Sequence, residues 1–368
     1  MIWQSYLPSQ IYFGINTIKE HDQIFQGLGR KALIVIGQGG SARRTGALDD
    51  ICQSLQQQQI DWEIFAQVEA NPSIDTARAG AKQAQACKAD FIIGIGGGSP
   101  LDAAKAIAIL AVNEITEEAL LSQQYGPVLP LVAVATTAGT GSEITPYSIL
   151  TFPAQQTKKS IASPKIIPRL AILDPAYTNQ LPYQITVDTA VDAYSHALES
   201  YLSVNATPLS ELHAREVLGI LGAQLKMLVQ AEEITLQDRE ALLYGSMLGG
   251  MAISTTGVSI PHALGYTFTF YKDIPHGRAN GMIMPAYMDF NLKNCAHPKV
   301  SQALQISGFD HLEQFEHLME ELCGPPPVCS PEEKERFIEQ TMQAKNLVSN
   351  LVTPSRENLA DILQRTLS

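Results

Sequence analysis

The first half of the chain alternates short apolar runs with stretches of helical periodicity, the pattern of βαβ units. The apolar runs predict strands at 31–37, 61–66, 90–95 and 129–135, and the stretches between them predict helices at 46–58, 73–87 and 100–112. The last of these helices has Ser99 at its expected N-cap, Pro100 at its first position and Asp102 in its first turn. From about residue 183 the β-type runs vanish and helix follows helix, at 185–202, 210–229, 236–253 and on to the end. The change places a boundary near 180, dividing the chain into an α/β domain over residues 1–180 and an all-helical domain over 181–368.

Length agrees with two domains, since 368 residues exceed one ordinary core. Apolar residues make up 45% and charged residues 17%, a globular balance. The net charge of -12 argues against nucleic acid as a partner, because phosphate backbones demand clustered Lys and Arg. Substrates are expected to be neutral, or to bind by shape and metal instead of through a basic funnel. No run approaches the ~18 apolar residues that would span a bilayer, and no charged-then-apolar leader opens the chain, so no membrane association is expected. The cysteines (Cys52, Cys87, Cys295, Cys323 and Cys329) are odd in number and lack Cys-x-x-Cys spacing, which suits reduced thiols in the cytoplasm.

Three glycine-rich turns follow predicted strands. Gly94, Gly96, Gly97, Gly98 and Ser99 stand between a buried-type strand and a helix, where glycines let the backbone approach an anion and helix N–H groups face it. The spacing is neither a Walker A loop nor a full Gly-x-Gly-x-x-Gly fingerprint, and tight strand-to-helix packing is the alternative reading. Thr136 to Glu143 (TTAGTGSE) forms a second such turn, and ligands of open α/β sheets collect beyond strand C-termini. The third, from Gly37 through Ser41 to Arg44, has no acidic residue to bind an adenosine ribose and repel a 2′-phosphate. It therefore predicts NADP in preference to NAD, with a solvated basic turn as the alternative.

In the helical half, VDTAVDAYSHALESYL places acidic residues and His196 on one helix face, and PHALGYTFTFYKDIPHG carries His262 at a helix start and His276 after Pro275. Asp188 and Asp192 both lie on the His196 face, so spacing does not choose between them. A carboxylate with three imidazoles suits Fe2+ or Zn2+, although an Asp/His pair on a helix is commonly just hydrogen-bonded.

Together, GGGSPLDAAKA, TTAGTGSEITPYSILT, VDAYSHALESYLS and PHALGY…DIPHGRANGMIMP resemble the iron-containing (group III) alcohol dehydrogenase family, closest to its NADP-dependent butanol and 1,3-propanediol dehydrogenase branch. The resemblance covers nearly the whole chain. It implies a Rossmann-like cofactor domain, a helical metal-binding domain of the dehydroquinate synthase type, and metal and cofactor in the cleft between them. In the family's DAxxHAxE motif the metal-binding aspartate falls on Asp192, and His196, His262 and His276 take the three histidine positions. Gly97, Gly98 and Ser99, with Asp102 behind them, would hold the pyrophosphate; Gly37 and Ser41 belong to the adenosine turn. Thr137, Thr140 and Ser142 would line the nicotinamide side, with Asn71 and Lys159 as further contacts, Lys158 being able to fill the same position. Where many members carry a second histidine this chain has Tyr266, which would shape a substrate pocket with Phe268 and Phe270.

The implied reaction is reversible hydride transfer between a primary alcohol or aldehyde and NAD(P), with Fe2+, or Zn2+ in its place, as Lewis acid. A homodimer or larger homo-oligomer is expected from the resemblance. A zinc-dependent polyol dehydrogenase of the glycerol type is the near alternative. A non-redox lyase of the dehydroquinate synthase type is the distant one, disfavoured because its anionic substrate would need basic residues and the metal motifs offer few besides Lys272 and Arg278.

Overall fold

The structure is a computed structural model that describes residues 2–155 and 157–368. The chain divides into two compact units, one of residues 6–137 and 141–181, the other of residues 2–5, 138–140 and 182–368. The first is built on a sheet of six parallel strands, β1 (Gln10–Phe13), β2 (Lys31–Gly37), β3 (Asp61–Val68), β4 (Phe91–Gly96), β5 (Leu131–Ala135) and β8 (Leu170–Leu173), in the order β1-β8-β5-β4-β2-β3. A separate antiparallel hairpin pairs β6 (Tyr147–Phe152) with β7 (Thr157–Ala162). Helices α1 (Ser41–Arg44), α2 (Ala47–Gln57), α3 (Ile74–Cys87), α4 (Gly98–Leu110) and α5 (Glu117–Leu121) complete the unit.

Strands covered on both faces need apolar side chains in both directions, which is why KALIVIG and FIIGIG are continuous apolar runs. Leu33, Val35 and Ile92 pack with Ala77 and Ala81 of α3 and Ile107 of α4. Their sequence neighbours Ala32, Ile34 and Ile93 face the other way, onto Leu48, Ile51 and Leu55 of α2. The helix after β2 and the helix after β4 thus lie on opposite faces of adjacent strands. Such a reversal opens a crevice at the strand C-termini, here at Gly37 and Gly96.

Three expectations are corrected. The sequence pattern does not predict β1, β8, β6 or β7, because four residues (β1 and β8) are too few to establish a period and the hairpin is broken up by Pro146, Pro153 and Pro164. Helix α4 starts two residues before the expected point: Gly97 is its N-cap, and Ser99 lies inside the first turn. The Ser99 hydroxyl does not cap; it accepts the Asn71 backbone N–H at 3.2 Å.

The second unit is helical throughout: α6 (Tyr183–Tyr201), α7 (Pro208–Gln230), α8 (Leu236–Thr256), α9 (Ile260–Lys272), α10 (His276–Asn294), α11 (Lys299–Ile306), α12 (Leu312–Cys323), α13 (Pro331–Met342) and α14 (Arg356–Thr366). Capping boxes at Thr207, Thr235, Ser330 and Ser355 start four of these helices. Helix α6 is buried almost all round from Thr186 onward, which marks it as the unit's central helix. Its polar residues are therefore desolvated and must find partners within the unit. Among the described residues no single helix is long and apolar enough to cross a membrane.

Candidate active site

Four side chains of the helical unit converge. Asp192 and His196 stand one turn apart on α6, and His262 lies in the first turn of α9, after Pro261. His276 is the first residue of α10, with Pro275 at the N-cap. Residue 277 has to be glycine for this approach: a Cβ there would lie 1.8 Å from the Asp188 carbonyl oxygen on α6. Asp192, His196 and His262 are all buried, and one donor atom of each lies within 4.8 Å of the others. His276 Nε2 and His262 Nε2 each stand 3.7 Å from Asp192 Oδ1. Donors placed ~2.1 Å from one tetrahedral ion sit roughly 3.4 Å apart, so this spacing fits a divalent metal.

The surrounding groups favour an anionic Asp192 carboxylate and shift His196 and His262 in opposite directions. Burial pushes the Asp192 carboxyl up, but His196, His276, His262 and the Asn280 amide together outweigh it and hold the group below the ordinary carboxylate value. Burial lowers His196 to about 4 despite Asp192 beside it. His262 goes the other way: burial lowers it, and Glu199, with Asp192, more than compensates. Asn280 Nδ2 donates to Asp192 Oδ1 at 3.0 Å and lies 3.3 Å from His262 Nε2 and 3.4 Å from His276 Nε2.

Asp188, which spacing left level with Asp192, is engaged elsewhere. It holds the Arg278 guanidinium through two bonds of 2.9 and 3.1 Å. Lys272, the other basic residue near the motifs, is paired with Glu333 at 2.7 Å. Tyr266 lies over the cluster, its ring 5.1 Å from that of His276 and nearly parallel to it. Phe270, one turn on, is exposed. Phe268 is a correction: α9 turns it to the opposite side, where it is fully buried against Phe337 and away from the Tyr266 face.

In the sheet unit, Gly97 and Gly98 open α4 directly beyond β4, and a Cβ at Gly97 would come within 2.9 Å of Thr137 Oγ1. That cradle has the bare backbone and helix N–H groups an anion requires. Ser99 stands beside Asn71, whose Oδ1 accepts from Lys158 Nζ at 2.8 Å. Lys159 is a further correction. Alternate residues of β7 face opposite ways, and Lys159 turns toward Gln155 and the Phe152 ring instead of Asn71. Gly37 ends β2 and Ser41 opens α1, where Arg44 Nη1 bonds the Gly39 carbonyl at 2.5 Å.

Asp102 and Ser142 belong to a buried network with Lys105, for which the sequence pattern alone gives no role. Its ammonium donates to Ser142 Oγ at 2.8 Å, the Thr145 carbonyl at 3.0 Å and the Tyr147 carbonyl at 2.7 Å. Ser142 Oγ donates to Asp102 Oδ1 at 2.6 Å, and Asp102 Oδ2 accepts the Ile149 N–H at 3.0 Å. These two side chains thus fasten the segment after β5 to α4. Residues 138–140, between them and Thr137, group with the helical unit, and Thr140 lies in that stretch.

A parallel α/β unit with a glycine cradle beyond its strands, and a helical unit with a buried Asp–His cluster, define a metal-dependent nicotinamide oxidoreductase. Residues 8–175 match the family described as iron-containing alcohol dehydrogenase, and residues 186–367 match its C-terminal region. A 1,3-propanediol dehydrogenase of Klebsiella pneumoniae is 35% identical over 78% of this chain and 74% of its own length. An NADPH-dependent butanol dehydrogenase of Clostridium saccharobutylicum is 29% identical over 85% and 81%, and an NAD-dependent methanol dehydrogenase of Bacillus methanolicus is 29% identical over 78% and 75%. The crystal structure of an iron-containing alcohol dehydrogenase from Thermotoga maritima is similar at a TM-score of 0.92 and 36% identity, over 100% of this chain and 99% of that one. The chain belongs to the iron-containing alcohol dehydrogenase family.

Proposed function

We propose that this enzyme interconverts small neutral primary alcohols and aldehydes with NADP(H), using Fe2+ held by Asp192, His196, His262 and His276. The observation that carries the reading is the buried Asp192–His196–His262 cluster, joined by His276. The ligand set would also accept Zn2+, which the general affinity order favours over Fe2+. Lewis acidity that favours the alkoxide and polarises the carbonyl is what such an ion supplies when bound, and hydride transfer is nicotinamide chemistry. The chain's own residues fix the donors, keep water from three of the four and support the cofactor.

Substrate charge follows from the ion pairs. Arg278 and Lys272 are each engaged by a carboxylate, so neither offers the helical unit's metal cluster a counter-ion for a carboxylated, phosphorylated or sulfonated aldehyde. That argues for uncharged substrates and against a lyase acting on a polyanion. Tyr266 supplies an aromatic wall over His276, with Phe270 on the same helix face.

Support for NADP comes from the Gly37–Arg44 turn, which lacks an acid and carries two arginines. Gly97, Gly98 and Ser99 would take the pyrophosphate, with Asn71 and Lys158 beside them, and Thr137 and Thr140 the nicotinamide side. Free cysteines suit a cytoplasmic enzyme. Association into at least a homodimer belongs to the same reading, supported by Tyr6 and Leu7 lying exposed just before edge strand β1.

The test is oxidation of NADPH or NADH with butyraldehyde by anaerobically purified protein, reconstituted with Fe2+, Zn2+ or EDTA. Turnover restored by Fe2+ and abolished by EDTA, with NADPH bound more tightly than NADH in a fluorescence titration, is the expected outcome. Absence of turnover with any metal despite cofactor binding would overturn the substrate assignment, and tighter NADH binding the NADP preference.

A further inference from the structure

Glu199 lies beside the cluster without being one of its four donors. It follows His196 by three residues on α6, and its side chain is 0% exposed. One carboxylate oxygen accepts from His262 Nδ1 at 2.6 Å, and the other accepts from the Ser259 backbone N–H just before α9. A backbone N–H is an obligate donor, so the Ser259 bond fixes the carboxylate in place and leaves the first oxygen as an acceptor. The His262 nitrogen facing Glu199 must then carry the proton. In the neutral ring the lone pair is thereby confined to Nε2, the nitrogen 3.7 Å from Asp192 Oδ1.

We propose that Glu199 is a positioning residue for the metal centre: it locks His262 in the Nδ1–H tautomer that presents Nε2 as a donor, and contributes a second buried carboxylate beside Asp192. This rests on the metal reading above. Outer carboxylates of this kind orient a ligand ring and raise its basicity, and their loss weakens metal binding about 10–100-fold. A purely structural Glu199, tying α6 to the start of α9, would affect stability but leave metal affinity and the ring tautomer unchanged.

Glu199→Gln separates the two. The amide has the same shape but one acceptor oxygen for two donors. With that oxygen on the Ser259 N–H, its NH2 faces His262 Nδ1 and drives the ring to the Nε2–H tautomer, which cannot ligate through Nε2. Zn2+ affinity, read by competition with a chromophoric chelator, should fall ~10–100-fold relative to the parent. The ring 15N shifts of His262, assigned by their loss in His262→Gln, should move from Nδ1-protonated to Nε2-protonated. Affinity within a factor of two of the parent, with unchanged ring shifts, would overturn the proposal alone. Failure of the parent itself to bind Zn2+ would overturn the metal assignment and this proposal with it. If the Glu199→Gln variant does not fold, the Zn2+-loaded parent decides, because a His262 protonated at Nε2 is incompatible with the role.

Discussion

At the scale of single residues, what the sequence could name was chemical type, and what it could not was partner choice. Asp188 and Asp192 share a helix face with His196, and only the folded chain shows Arg278 occupying one of them and three imidazoles surrounding the other. Lys158 and Lys159 are equally basic; strand alternation alone sends the first to Asn71. Glu199 and Asn280 escaped notice because neither has a ligand pattern of its own, although Glu199 closes the very motif that marks Asp192 and His196. His262 is the residue on which these neighbours meet. Replacing it by alanine removes one donor and leaves Glu199 without its imidazole partner. His262→Ala should therefore lose bound metal and turnover together, while circular dichroism still reports the parental helix content. A His262→Ala preparation that stays fully active after metal depletion would refute the assignment.

At the scale of elements, legibility followed length and period. Helix α6 has 19 residues and a motif on one face, so the helix and the face that carries the motif were readable. Strands β1 and β8 have four residues each and were not. Tyr266, Phe268 and Phe270 read as one aromatic group when taken along the chain, but helical geometry puts the middle ring on the opposite side, in the core. Packing between α6 and α10 shows the same dependence on geometry. The side-chain-free position at Gly277 lets α10 come close enough for His276 to reach the Asp192 carboxylate. A methyl there would also stand 2.8 Å from Asp192 Cβ, so α10 must move away from the very residue it serves. Gly277→Ala should lower stability by about 1–3 kcal/mol, the usual cost of overpacking. It should also weaken Zn2+ binding, because His276 moves with its helix. Thermal unfolding of the metal-free protein and chelator competition measure the two effects, and parental values for both would show that the close approach is dispensable.

Across the whole molecule the two kinds of feature belong to different stretches of chain: the buried Asp–His cluster lies in the helical unit, the glycine turn opening α4 in the sheet unit. The sequence pattern changes near residue 180, but residues 138–140 group with the helical unit, and three residues of a glycine turn carry no periodicity that could announce it. The sheet unit also holds an ionisable group whose cost should be visible in the stability of the protein. Burial pushes the Glu143 carboxyl up to about 7, only partly offset by a backbone hydrogen bond and the Lys105 ammonium. Lys105 is in turn lowered by burial to about 8, with Asp102 and Glu143 acting against the shift. An acid whose folded pKa is raised binds more protons folded than unfolded between the two values. Its stabilisation is fully present below the unfolded pKa, near 4.5, and is lost as pH rises through 7. The amine has the opposite slope in a different window: folded Lys105 binds fewer protons than the unfolded chain between about 8 and 10.5, so its contribution rises with pH there. Glu143→Gln keeps the shape and removes the acid's titration alone. The variant's melting temperature should therefore gain on the parent's progressively between pH 5 and about 7 and stay above it at pH 8, by ~2–4 °C for each kcal/mol recovered in a unit of this size. Calorimetric scans of both proteins across that range give the difference directly. A pH-independent offset would mean that Glu143 is already ionised throughout, its charge held by Lys105, and that burial does not govern this carboxyl.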